Sequence, residues 1–325
     1  MLAILPENKT TFGRRIKEGD LVIVYERHDH MKAVTVNSGA QFQNRFGAFD
    51  YSDWIGKPFG SKVFNKKGGF VHLLAPTPEL WTLVLSHRTQ ILYIADISFV
   101  ILFLEIYPGC LVMESGTGSG SLTTSLARAV APSGHVHTFD FHELRANSAR
   151  EDFEKNGLSS LITVEVRDIQ GTGFPSKFCG EVDAVFLDLP QPWLALASAA
   201  EVLKPDGVLC SFSPCIEQVQ HTCEVLTSTD FTDVRTFEIL LRTYEVREHS
   251  FTKMIDEQSS DEHGSFSSLP CKRLCSEIAK DNRSSTSTLE KGVTVNNEKV
   301  RMIVAKPNPE TKGHTGYLTF ARRIV

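Results

Sequence analysis

The stretch Val112-Met-Glu-Ser-Gly-Thr-Gly-Ser-Gly-Ser121 sets three glycines between a β-prone apolar run and a helix-prone one. Residues 110–114 read as a strand, and residues 121–130 as a helix with Leu122, Leu126 and Ala129 on one face. Gly116, Gly118 and Gly120 let a ligand approach the backbone with no Cβ in the way. A dinucleotide fingerprint, G-x-G-x-x-G, would hold a pyrophosphate at the helix start and would want glycine where Ser121 stands. Here the third glycine is Gly120, and Glu114 lies two residues before the first. An acidic-x-G-x-G-x-G pattern fits a ligand with a cationic amino acid moiety and no pyrophosphate, and S-adenosylmethionine (SAM) is such a ligand. The competing reading is a glycine-rich turn that binds nothing.

Downstream, β-prone and helix-prone segments alternate. Strands are expected at 135–141, 161–166, 182–187 and 207–212, with helices at 143–155, 193–203 and 216–226. Repeated βα units imply a parallel, doubly wound sheet. Asp140 closes the second strand, 22 residues after Gly118, where a carboxylate can accept hydrogen bonds from vicinal ribose hydroxyls. Asp168 follows the third strand, at the height of an adenine amino group, with Ile169 offering apolar surface beside it. The fourth strand ends Val185-Phe-Leu-Asp-Leu-Pro-Gln-Pro-Trp193, which directs Asp188 into the crevice beyond the strand ends, toward a methyl acceptor. Asp140 also has a plainer reading, as a solvated cap, and Asp188 one as a cap of the next helix.

Upstream, short β-prone pieces at 20–25, 31–36 and 69–74 alternate with turn residues, so residues 1–75 read as a small β domain, barrel-like or a sandwich. Residues 76–325 follow as the catalytic domain, with a core helix expected over 91–106. Nine serines between 259 and 287, mixed with charges, read as a disordered insertion at about 253–297. Runs at 300–305 and 316–321 read as two late strands of one sheet flanking it.

The 325 residues carry 34 basic and 39 acidic side chains, a formal charge of -5. That charge is unevenly divided. Residues 1–75 have a net +4, residues 76–251 a net -12, residues 252–300 a net -1 and residues 301–325 a net +4. An acidic catalytic segment between basic flanks does not exclude RNA, but grips phosphate poorly by itself. Seven cysteines without C-x-x-C, and no long uncharged apolar run, lead to the expectation of a soluble intracellular chain. There is no G-x-S-x-G and no P-loop, and His28, His30, Cys271 and Cys275 lack partners at zinc spacing, so no metal is expected.

Further blocks narrow the class: Ile16-Lys-Glu-Gly-Asp20, Gly56-Lys-Pro-Phe-Gly-Ser-Lys62, Pro76-Thr-Pro-Glu-Leu-Trp-Thr82, His87-Arg-Thr-Gln-Ile-Leu-Tyr93, Ser211-Phe-Ser-Pro-Cys-Ile-Glu-Gln218 and Gly313-His-Thr-Gly-Tyr-Leu-Thr-Phe320. With residues 114–121 they resemble the catalytic subunit family of the eukaryotic tRNA (adenine(58)-N(1))-methyltransferases, from about residue 16 to 320. The resemblance implies an α/β fold, a Rossmann-like class I SAM methyltransferase sheet preceded by the small β domain. It implies SAM contacts at Gln90, Leu92, Ser119, Gly120, Ser121, Asp140, Arg145, Asp168 and Ile169, with Asp188 at the target base. Arg88, Ser213, Pro214, His314 and Tyr317 would face the substrate, although Tyr317 reads equally well as core. The resemblance further implies a nuclear heterotetramer of two catalytic and two non-catalytic RNA-binding subunits. Two other readings stay open: a SAM enzyme acting on a protein or small molecule, and a non-catalytic subunit that kept the fold.

Overall fold

The computed structural model describes residues 14–27, 30–252, 299–308 and 316–324. The expected insertion at 253–297 lies outside them, as do His28, Cys271, Cys275 and His314.

The N-terminal part has six strands: β1 (Leu21–Arg27), β2 (His30–Thr35), β3 (Gln41–Asn44), β4 (Gly47–Asp50), β5 (Ser61–Phe64) and β6 (Phe70–Leu74). Four form an antiparallel sheet in the order β2-β1-β6-β5, and β3 and β4 make a separate hairpin. Alternation turns Val22, Val24, Val63, Val71 and Leu73 to one side, where they meet Phe42 and Phe49 of the hairpin and Trp54. Tyr51 packs its ring 4.7 Å from that of Trp54. The sheet remains open, so the arrangement is nearer a sandwich than a barrel.

Helix α1 (Pro78–Val84) follows, where the sequence reads only as a boundary. Thr77 caps it by accepting from the Leu80 N–H at 3.3 Å, and Pro78 sits in the first turn. Helix α2 covers Ile94–Phe103, shorter than the expected 91–106. It starts late because residues 85–93 run alongside the glycine loop, and it stops at Glu105, which takes a left-handed φ of 55°. Leu102 is 69% exposed, so α2 is not buried on every side. Its packed side stacks Phe99 and Phe103 against Phe237 and Phe320.

The catalytic sheet contains β7 (Leu111–Ser115), β8 (His135–Asp140), β9 (Ile162–Val166), β10 (Val182–Asp188), β11 (Leu203–Ser213), β12 (Phe231–Glu238) and β15 (Tyr317–Arg323). Its order is β12-β15-β11-β10-β7-β8-β9, with β15 antiparallel to both neighbours and the other pairs parallel. Alternation again supplies two cores. Val112, Ala184 and Phe186 pack under α2, α3 (Ser121–Val130) and α4 (Glu143–Lys155). Met113, Val185 and Leu187 pack under α6 (Leu196–Val202) and Leu226 of α7 (Ile216–Thr227). Helix α5 (Ile169–Thr172) is one turn beyond β9. The expected helix at 193–203 begins as a 3-10 turn at Pro192–Ala195 before α6.

The chain lays down β7, β8 and β9 outward and then returns to β10 beside β7. The strand order therefore reverses between β7 and β10, and ligands of such sheets bind at that switch point.

One expectation about the late strands is corrected. β14 (Lys299–Pro307) does not join the sheet that holds β15; it pairs with β13 (Tyr244–Thr252) as a separate two-stranded ribbon. Alternation specifies an extended strand but not its partner, and β13 is itself a polar alternating run whose two faces both stay exposed. Among the described residues no helix is long and apolar enough to cross a membrane.

Candidate active site

A cleft of about 540 Å³ opens at the switch point, within the size range of small-molecule sites. Its floor is the turn from β7 into α3, and its walls are the ends of β8 and β10, the loop after β9 and the strap 89–92.

Glu114 is 1% exposed beneath the glycines. Its Oε2 accepts from Thr123 Oγ1 at 2.5 Å. Burial raises its pKa to about 7, against the lowering effect of hydrogen bonds from Thr123 and Thr138, and nearby Asp188 and Asp140 add to the rise. A buried carboxyl poised at neutrality ionises readily when a cation arrives beside it. Gly120 begins α3 with φ +79°, and a Cβ there would lie 2.7 Å from the Phe153 ring. Backbone at this turn is therefore bare by requirement.

Asp140 ends β8, buried, and gathers several donors around its carboxylate. It accepts from the Gly118 N–H at 3.2 Å, the His142 N–H at 2.9 Å, and Arg145 Nη2 at 2.9 Å. Arg145 Nε adds a second contact at 3.2 Å, and its guanidinium lies 5.0 Å from the centre of the Phe141 ring. Any ribose hydroxyls at Asp140 would share its oxygens with Arg145. Asp168 lines the cleft and also caps α5, accepting from the Gln170 N–H at 3.1 Å. One side chain thus both lines the cleft and caps a helical turn. Ile169 is buried beside it.

Gln90 and Leu92 line the cleft from the strap. The strap is pinned by side chains of the glycine loop. Ser119 Oγ accepts from the Arg88 and Thr89 N–H groups at 2.8 and 3.2 Å, and Ser121 Oγ donates to the Leu92 carbonyl at 3.1 Å. Both serine hydroxyls are committed to this scaffold, which leaves their backbone for a ligand. Arg88, expected to face the substrate, does not line the cleft. Its Nη1 pairs with Asp152 of α4 at 2.6 Å and its Nη2 reaches the Ser119 carbonyl at 3.4 Å, so it fastens the strap.

Asp188 ends β10 one register step beyond Leu187, which pairs with Ser115. It lines the cleft and is exposed to solvent there, and desolvation by the protein packed around it raises its carboxyl pKa to about 6. It touches the glycine loop closely: a Cβ on Gly116 would lie 2.5 Å from the Asp188 carbonyl oxygen. Ser213, Pro214 and Tyr317 do not line the cleft. They sit at the same edge, however, because Asp188 pairs with Phe212 and Ser213 pairs with Tyr317. Ser213 is fully buried and Pro214 exposed.

Sequence reasoning passed over Gln218, whose Nε2 donates to the Pro190 carbonyl at 2.8 Å and ties the loop after Asp188 to α7. It also passed over Phe141 and Arg167, which line the cleft. Phe141 has a local signal, an aromatic directly after Asp140; Gln218 closes the quoted block 211–218, but its contact is not legible there, since its partner is 28 residues away.

The buried acid under bare glycines, the ribose-height Asp140 and the acidic cleft around them suit a cationic amino acid nucleoside. Fold and cleft together define a class I SAM-dependent methyltransferase. Residues 69–323 match the family model described as tRNA methyltransferase complex GCD14 subunit. The chain is 43% identical over 312 residues to the tRNA (adenine(58)-N(1))-methyltransferase catalytic subunit trmt61a of Dictyostelium discoideum, covering 95% of this chain and 97% of that one. It is 37% identical over 324 residues to the corresponding subunit TRM61 of Candida albicans, covering 95% and 96%. Among solved structures, a SAM-dependent O-methyltransferase from Thermotoga maritima aligns with a TM-score of 0.71 at 25% identity, over 95% of each chain. The tRNA (m1A58) methyltransferase TrmI of Aquifex aeolicus aligns with a TM-score of 0.67 at 22% identity, over 96% of this chain and 100% of that one. The chain belongs to the GCD14 family of tRNA methyltransferase complex subunits.

Proposed function

We propose that this chain is the catalytic subunit that methylates N1 of adenine 58 in tRNA, acting with a second, non-catalytic subunit. The observation that carries the reading is Asp188: a carboxylate facing the cleft at the switch point, in contact with the glycine loop, with its pKa raised to about 6.

SAM, when bound, supplies a methyl group activated by its sulfonium. Glu114, the bare backbone of Gly116 to Ser121, Gln90, Leu92, Asp140, Arg145, Asp168 and Ile169 are the groups that would hold it. Adenine N1 has a free lone pair at neutral pH, so no residue has to remove a proton to create the nucleophile. Methylation leaves the base cationic. The ionised Asp188 can accept a hydrogen bond from the exocyclic amine and stabilise that growing charge. The remaining acceleration comes from positioning, to which the strap fastened by Arg88 and the loop fastened by Gln218 both contribute. N1 lies on the Watson–Crick edge, so the base must leave its stack or pair first. Pro214 and Tyr317, at the sheet edge beside Asp188, are assigned to the substrate side on the strength of the family resemblance, as are Ser213 and His314.

The ribbon β13–β14 supports a second subunit. It exposes Tyr244, Val246, Met302 and Ile303, and an isolated two-stranded ribbon is marginal in water, so apposition to another chain would stabilise it. Two catalytic and two non-catalytic chains, in the nucleus, go with this reading on the strength of the family resemblance. The small β domain, about 1–75, has its own core and carries basic excess that the catalytic segment lacks.

The test is methyl transfer by the complex purified with its partner, using tRNA transcripts that differ only at position 58. Incorporation is expected with adenine there and absent with guanine. Equal incorporation into both, or into neither, would overturn the reading.

A further inference from the structure

We infer that the open end of the outer face of the N-terminal sheet is a docking surface for unpaired bases of the RNA substrate. The inference rests on the tRNA reading above and concerns a surface separate from the cleft.

The register divides the sheet cleanly. Val63, Val71, Leu73 and Val24 enter the core, while Lys62, Phe64, Phe70, His72 and Tyr25 point the other way. On that outer face Ile23 is 0% exposed, so one end is covered. The other end is open: Phe64 is 62% and Phe70 40% exposed. Rings run across it in sequence, with centroids 6.0 Å apart for Phe64 and Phe70, 5.7 Å for Phe70 and His72, and 6.2 Å for His72 and Tyr25. Lys62 Nζ stands 3.6 Å from the Phe70 ring centre and 5.2 Å from that of Phe64.

More cations gather at the same end. Tyr25 pairs with His72 and Phe64 with Phe70, so the end of β1 and the turn after β5 emerge at the same edge. Arg27 ends β1, and Lys66 and Lys67 lie in the turn after β5. Glu26, the carboxylate of β1, is instead held by Asn44 Nδ2 at 2.8 Å and by Arg45.

Exposed aromatics interleaved with cations match the chemistry of single-stranded nucleic acid, in which bases offer π faces and phosphates offer negative charge. A protein partner would have to desolvate Lys62 in order to cover the rings, which argues against an apolar interface. Unpaired bases of tRNA loops are the segments able to stack here.

The test uses the complex with its partner subunit, with Phe64→Ala/Phe70→Ala, Phe64→Tyr/Phe70→Tyr and Lys62→Gln. Removing both rings is expected to raise KM for tRNA about tenfold or more. It should leave kcat, SAM affinity, melting temperature and partner co-elution unchanged. The double tyrosine variant should behave as wild type, because a stacking ring is restored. Lys62→Gln should reduce the salt dependence of tRNA binding by about one counterion. An unchanged KM for tRNA in the double alanine variant overturns the inference, and so does a loss confined to partner co-elution, which would make this face a protein interface. Failure of the wild-type complex to methylate any tRNA would count against the functional reading instead.

Discussion

Asp188→Ala is expected to reduce methyl transfer by on the order of a hundredfold to a thousandfold while leaving SAM binding largely intact, as for loss of a group that stabilises transition-state charge. Single-turnover transfer and calorimetric titration with SAM, both on the assembled complex, separate the two effects. A near wild-type rate in this variant would remove Asp188 from the chemistry. The same assignment fixes a pH dependence. A carboxyl with a pKa of about 6 is mostly ionised at pH 7 and becomes protonated as the pH falls through 6, so the acceptor is lost on the acid side. The wild-type rate should therefore fall about tenfold per unit well below that pKa. Glu114, raised to about 7, titrates nearby and couples to this limb. Asp188→Asn distinguishes them: its residual rate should lose the part of the limb that belongs to Asp188 and keep any part that belongs to Glu114.

Gly116→Ala is expected to damage cofactor binding and catalysis together. Gly116 has φ +104°, and an added Cβ would meet the Asp188 carbonyl oxygen at 2.5 Å and the Asp188 Cβ at 3.1 Å. Contact with backbone at that distance cannot be relieved by a rotamer change, so β7 and β10 must separate at the switch point. Gly180→Ala provides the control. Gly180 also has a positive φ, +69°, but nothing lies within 4 Å of its Cβ position. Both variants should lose roughly 1 kcal/mol or more of stability from backbone strain, read as a lower melting temperature. Only Gly116→Ala should also lose SAM affinity and turnover. Equal activity in the two variants would show that the glycine loop and Asp188 are not mechanically joined.

Features legible in the sequence were those written locally. The strand, glycines and helix of 111–130 are contiguous, and Asp140 and Asp188 could be placed because each ends a recognisable strand. Helix α1 was hidden although its Thr77 cap and first-turn Pro78 are both start signals, since the Pro-Thr-Pro run reads as a break. The ion pair of Arg88 is not legible locally, because its partner, Asp152, is 64 residues away. A cation beside a substrate motif reads as a substrate contact, and the half-buried carboxylate that pairs with it lies on a distant helix. The same distance problem hid Gln218 and gave β14 to the wrong sheet, because alternation states that a run is extended and leaves its neighbour open.

The most direct measurement is methyl transfer to a tRNA transcript carrying 1-deazaadenosine at position 58, in competition with an unmodified transcript. Replacing N1 by C–H keeps the ring, its stacking and the exocyclic amine that Asp188 would hold, and removes only the nucleophilic lone pair. Binding of the analogue with no methyl incorporation is the expected result. Methyl incorporation at that residue would contradict transfer to N1.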